Sequence, residues 1–151
     1  MSDIYPKTLR QLVIGFIRKF GLLDQSRTPC GHPIALSAAH ALMELLHNPG
    51  IDQSELSRRL ALSKSNVSRM LAKLAKQGHV KRIQHENDGR AHALHLTVKG
   101  RRLASSINEN SLARFGEIID SLPDGKRDQL FESLSILIQA IPEPLRDSEP
   151  E

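Results

Sequence analysis

Between Ser63 and Lys76 the chain sets out hydroxyl, amide and cationic side chains with no acid among them. Wound at 100° per residue, this run sends Val67, Met70, Leu71 and Leu74 to one face. Ser65, Arg69, Ala72, Lys73 and Lys76 fall roughly opposite, flanked by Asn66 and Ser68. Arginine can grip guanine through two hydrogen bonds, and asparagine or serine can address base edges or phosphates. Such a face suits the major groove of duplex DNA. A soluble helix with a solvated basic face has the same pattern, and one helix taken alone favours that plainer reading. Its surroundings decide between the two.

Those surroundings form a recognisable unit. Ser63 is placed to cap a helix over residues 64–77, its hydroxyl accepting from a backbone N–H one turn on. Gly78 stands where a left-handed residue ends a helix. A shorter helix is predicted over residues 54–60, with Ala61-Leu62-Ser63 as the joint. Two strands follow over 80–85 and 91–97, with turn-forming residues 86–90 between them. The arrangement is helix–turn–helix plus wing, which puts its second helix into a groove. Lys64 opens that helix and Arg82 lies on the first wing strand, so both join the candidate DNA contacts, and Arg58 and Arg59 face outward where they could touch phosphates. Asp88, two residues before Arg90, can hold its guanidinium for insertion into the minor groove. An exposed turn with a local ion pair accounts for the same two residues equally well.

Charge is concentrated on this unit. Residues 63–102 carry ten lysines and arginines against two acids, a balance of +8, while the rest of the chain carries eleven against fifteen, or −4. A phosphate backbone is the natural partner of such a focus. Aromatic residues are only 3% of the chain, too few for the stacking platforms that hold single strands. No nucleophile elbow, phosphate-binding glycine loop or zinc-protease helix occurs, so no enzyme is expected and no cofactor is implied.

Cys30 is the one cysteine, in a proline- and glycine-broken segment over residues 26–33, close to His32. It is a candidate redox sensor, although an inert thiol is the plainer reading, since exposure and acidity set reactivity. Cys30, His32 and His40 match no known zinc spacing, and no metal is expected. With one cysteine, no apolar run near the roughly 20 residues of a membrane span, and no signal peptide at Met1–Pro6, the expected location is the cytoplasm, away from any membrane.

The elements around the unit are helical. Residues 8–24, 38–47 (capped by Ser37), 97–122 and 128–140 repeat apolar side chains at spacings of three and four, and Ile51 is expected in a very short strand. The fold class is mainly α with a small β-wing: about six helices and a hairpin sheet of two or three strands. A single domain spans 1–151, with a DNA-binding lobe over 37–100, dimerising helices over 8–24 and 103–141, and a disordered tail over 142–151. The dimer follows from area: the terminal stripes exceed what a winged helix of about 70 residues needs to cover itself, and apolar area at about 25 cal/mol per Å² does not stay exposed. A twofold dimer would set two recognition helices about 34–36 Å apart, one turn of DNA.

At this point the chain resembles the MarR-type winged-helix transcription factors. The resemblance runs through Ser54-Glu55-Leu56-Ser57, Leu62-Ser63-Lys64-Ser65-Asn66-Val67-Ser68-Arg69, Gly78-His79-Val80, Asp88-Gly89-Arg90 and Leu96-Thr97-Val98-Lys99-Gly100. It implies a homodimer on a palindromic double-stranded DNA operator, usually a repressor. On the matching positions it implies Ser65, Asn66, Ser68 and Arg69 at the major groove, and Arg90, oriented by Asp88, at the minor groove. A small-molecule effector or an oxidative signal would release the DNA. The rival reading is a winged helix that docks on another protein without specific DNA binding.

Overall fold

Three alanines on one side of a helix let a second helix come close. Ala38, Ala39 and Ala41, with Leu42 and Leu45, are the buried face of α2 (Leu36–His47). They share one core with Ala104 and Ile107 of α5 (Val98–Asp120), against which α2 lies. The computed structural model describes residues 4–85 and 88–144, with the side chains of residues 85 and 88–91 outside that description. The expected 142–151 tail therefore lies mostly outside the described residues.

The remaining elements are α1 (Ile4–Phe20), α3 (Gln53–Leu60), α4 (Lys64–Lys76), the strands β1 (Val80–His85) and β2 (Asp88–Leu96), and α6 (Arg127–Ala140). Among the described residues this is the six-helix, one-hairpin class expected. The core is built by α2, α3, α4, the hairpin and the first half of α5. Leu42, Leu45, Leu56, Val67, Leu71, Leu74, Leu94 and Ile107 are its fully buried side chains. Each is worth about 1.5–3 kcal/mol relative to exposure in water. By contrast α1 and α6 bury no residue within the chain. Leu12, Phe16, Phe131 and Ile138 are each more than half exposed.

Several boundaries differ from expectation. The first helix runs over Ile4–Phe20, not 8–24. Pro6 is tolerated in the first turn because its missing N–H would be unbonded there anyway. Thr8 does not start the helix: its hydroxyl donates to the Ile4 carbonyl at 2.8 Å. Gly21, at φ 86°, ends it, with Leu22 N bonded back to Ile17 O at 3.0 Å. Ser37 does not cap α2. The cap position is Ala35, which has no side-chain oxygen to offer, and Ser37 sits in the first turn.

The sheet has two antiparallel strands, paired Val80↔Leu96 through Gln84↔His92. The register shifts between Gln84 and His85, so that His85 pairs with Asp88. Residues 88–90 therefore belong to β2 and not to a five-residue tip, a bulge-like offset that lengthens the strand. Ile51 forms no strand, yet the loop it occupies is bonded to the wing. Gly50 N donates to Leu94 O and Leu94 N to Ile51 O, both at 2.9 Å.

Candidate nucleic-acid interface

Helix α3 starts at Asp52, whose carboxylate accepts from Glu55 N at 2.8 Å. It ends at Ala61, which takes the left-handed conformation at φ 52°. That residue reverses the chain between α3 and α4. Ser63 then caps α4 as expected, its Oγ accepting from Asn66 N at 3.3 Å, a contact worth about 1 kcal/mol. Val67, Leu71 and Leu74 bury the inner face of α4, and Met70 is half-buried beside them. At the far end Gly78 takes the left-handed conformation, φ 78°.

The outer face is as the periodicity places it. Lys64, Ser65, Asn66, Arg69, Ala72, Lys73 and Lys76 are exposed, while Ser68 is half-buried at the edge. Arg69 Nη2 donates to Asn66 Oδ1, and the Ser63 and Ser65 hydroxyls lie 3.2 Å apart. No acid stands in the first turn of α4. The positive end of the helix dipole and Lys64 therefore add together, which favours an anion such as phosphate. Lys73 lies further along, at the rim of a cavity of about 410 Å³ that it shares with Gln25, Ser37, Met70 and Gln77.

Two sets of side-chain bonds were not foreseen. Arg82 Nη2 donates to Gln53 Oε1 at 3.3 Å, and Gln53 Nε2 reaches Lys64 O at 3.5 Å. Gln53 thus links the wing base, α3 and α4. The second is a clamp on the cations of α3. Glu55 accepts from Arg58 at 2.7 and 2.9 Å and from Arg59 at 2.7 Å, and Arg59 also reaches Glu44 at 3.4 Å. The hydrogen bonds from Arg58, then the one from Arg59, pull the Glu55 carboxyl down to about 2. Arg58 and Arg59 do face outward, but as an ion-paired set rather than as free cations. The side chains of Asp88 and Arg90 lie outside the described residues, and only their strand backbone is placed.

Where α4 ends, the chain meets α5. Thr97 caps α5, accepting from Gly100 N at 3.0 Å, and donates its hydroxyl to Gly78 O at 2.6 Å. Thr97 N donates to His79 O at 3.0 Å, and Lys99 Nζ to Gln77 O at 2.8 Å. The His79 Nδ1 is buried with no partner among the described residues. Burial, and then the charge of Lys99, hold that imidazole below its ordinary pKa.

Cys30 is half-buried, with Sγ 3.1 Å from Thr28 Oγ1. It lines a mainly apolar cavity of about 270 Å³ with Phe20, His40, Met43, Arg114 and Phe115. His32 turns elsewhere, its Nε2 2.9 Å from Asn110 Nδ2. Among the described residues no three His, Cys, Asp or Glu gather as a metal would require.

With this geometry in hand, the chain can be set beside known proteins. A sequence model of the MarR family matches residues 32–91, the span from the start of α2 into the wing. The uncharacterized HTH-type transcriptional regulator YfiV of Bacillus subtilis is 25% identical over 138 residues, covering 91% of this chain and 81% of that one. The transcriptional repressor MprA of Escherichia coli is 31% identical over 88 residues, covering 58% of this chain and 50% of MprA. Among solved structures, FabT of Streptococcus pneumoniae in complex with DNA superposes with a TM-score of 0.74 at 24% identity, covering 89% of this chain and 95% of that one. The motifs, the order of the elements and these likenesses together support a MarR-family winged-helix regulator.

Proposed function

We propose that the chain is a homodimeric repressor that binds a palindromic operator in duplex DNA. One observation carries this reading: α4 presents Ser65, Asn66, Arg69, Lys73 and Lys76 to solvent with no acid among them, braced from behind by Val67, Leu71 and Leu74. Ser65, Asn66 and Arg69 would choose the sequence. Ser63, Lys64, Lys73 and Arg82 would hold phosphates, and Ser68, half-buried, would contribute at the edge. Arg90, oriented by Asp88, is assigned to the minor groove from the sequence alone. The reading gives the chain a binding role and no catalytic one, and places it in the cytoplasm with the chromosome. No described helix is long and apolar enough to cross a membrane.

The division of labour we infer is a DNA-binding lobe over 37–100 and dimerising segments over 8–24 and 103–141. Support comes from the exposed apolar side chains of α1, the second half of α5 and α6, among them Phe16, Leu112, Phe131 and Ile138. The cavity walled by Phe20, Met43, Arg114 and Phe115 lies where α1 and α5 approach α2. A small effector held there would bias the spacing of the two recognition helices. Cys30 on the same wall is the candidate for an oxidative signal.

The test is selection of genomic duplex fragments by the purified protein, followed by gel shifts at two salt concentrations. Six to ten phosphate contacts predict a loss of roughly 10³–10⁵ in affinity between 50 and 200 mM salt. Absence of salt-dependent duplex binding would leave the protein-docking reading standing instead.

A further inference from the structure

A lysine in the first turn of a helix faces the positive end of that helix's own dipole, which disfavours it. Lys99 occupies such a position, two residues past the Thr97 cap of α5. Its ammonium leaves its own helix and donates to Gln77 O, at the negative end of α4. The local conflict in α5 is resolved across the joint between two helices. Thr97 works in the same place, donating from its hydroxyl to Gly78 O and from its backbone to His79 O. Three consecutive carbonyls just past α4 are thereby taken up by the first residues of α5. The approach is close enough that a Cβ on Gly100 would lie 1.9 Å from His79 O. At the other end of α4, among the described residues, the side-chain hydrogen bond to α3 is the looser 3.5 Å contact of Gln53 with Lys64 O, beside the apolar packing of Leu56 in the same core.

We infer that Lys99 and Thr97 are positioning residues for the recognition helix, locking the C-terminal end of α4 to α5 so that the two turn as one body. The direction of α5 then sets the direction of α4. This rests on the reading that α4 enters DNA. It adds a distinct claim, that the C-terminal end of α4 is held from α5 as well as by the packing of α4 on α3 and the hairpin.

The test reads the angle and the binding separately. Spin labels are placed at Ala72→Cys on α4 and Glu109→Cys on α5, both exposed, in a Cys30→Ser background. Labelled protein is diluted into unlabelled protein so that pulsed EPR reads distances within one protomer. Lys99→Met, which leaves the Thr97 cap in place, should broaden or shift that distance distribution, and Lys99→Arg should restore it. On duplex fragments selected by the unaltered protein, Lys99→Met should lower affinity by about tenfold, the loss of one charge-assisted hydrogen bond, with the salt slope unchanged. A slope shallower by about one would make Lys99 a phosphate contact and overturn the proposal. So would an unchanged distance distribution with a lower melting temperature, or a broadened one with unchanged affinity. If the unaltered protein selects no duplex at all, the DNA reading falls, and the EPR arm still decides whether the lock exists.

Discussion

Arg69 donates a hydrogen bond to the side-chain oxygen of Asn66, one turn before it on α4. Two groups assigned to base edges are thus held together before any DNA arrives, which lowers the ordering cost of binding. Arg69→Ala should cost about 1–3 kcal/mol of operator affinity and relax preference at one base pair. Because the two side chains act as a unit, Asn66→Ala combined with Arg69→Ala should cost less than the sum of the single changes. A double-mutant cycle on the selected operator measures this. Full additivity would mean that the two residues read DNA independently.

Glu55 restrains two cations at the edge of the same surface. Its carboxyl is held at about 2, below the ordinary 4.5, by Arg58 and Arg59. A lowered folded-state pKa contributes stability that is fully present above about 4.5 and is lost as pH falls toward 2. Glu55→Gln should therefore flatten the dependence of stability on pH across that window, as followed by circular dichroism. It also frees Arg58 and Arg59, so non-specific duplex binding should tighten and its salt slope steepen by about one.

Gly100 has no room for a side chain, since a Cβ there would meet the backbone oxygen of His79 at 1.9 Å. Gly100→Ala should destabilise the protein by about 1–3 kcal/mol or more, because backbone rather than a flexible side chain must move. Chemical denaturation checks this. The same change at Gly116, an exposed position inside α5 with nothing within 4 Å of the added carbon in its own chain, is the control and should not destabilise the fold, since alanine favours a helix over glycine by about 0.5–1 kcal/mol.

The terminal helices make a separate prediction. Phe131 is 52% exposed on α6, within an apolar stripe that includes Leu134 and Ile138. Phe131→Glu should raise the dimer dissociation constant by about 30-fold or more, the effect of losing a buried aromatic anchor. Sedimentation at several concentrations would show it. An unchanged association state would move the interface off α6.

What could be read before the coordinates was what depends on near neighbours. Ser63, Gly78, Thr97 and the apolar spacing of α4 are local signals, and each does what its residue type suggests. The first helix was misplaced because its apolar spacing is clear only from Leu9 onward while the chain winds from Ile4, and Gly21, its true end, lay inside an unbroken apolar pattern. Arg58 and Arg59 stand three and four residues after Glu55, a spacing that allows their pairing, but their outward-facing positions alone marked them as possible phosphate contacts. Gln53 to Arg82 and Lys99 to Gln77 join residues 29 and 22 positions apart. Nothing in either segment shows such a bond until the fold closes. The face of α4 was legible, whereas what holds that face at its angle was not.

Ala61 carries one more implication. An alanine in the left-handed region sits roughly 1–2 kcal/mol uphill of its relaxed backbone. The elbow between α3 and α4 is therefore bent under tension, and Leu56, Leu60 and Leu62, seated in or against the core, are what keep it bent. Cut free of the domain, residues 53–76 would straighten or unwind instead of presenting the same corner. The shape of this corner belongs to the whole assembled body and not to the two short rods that form it.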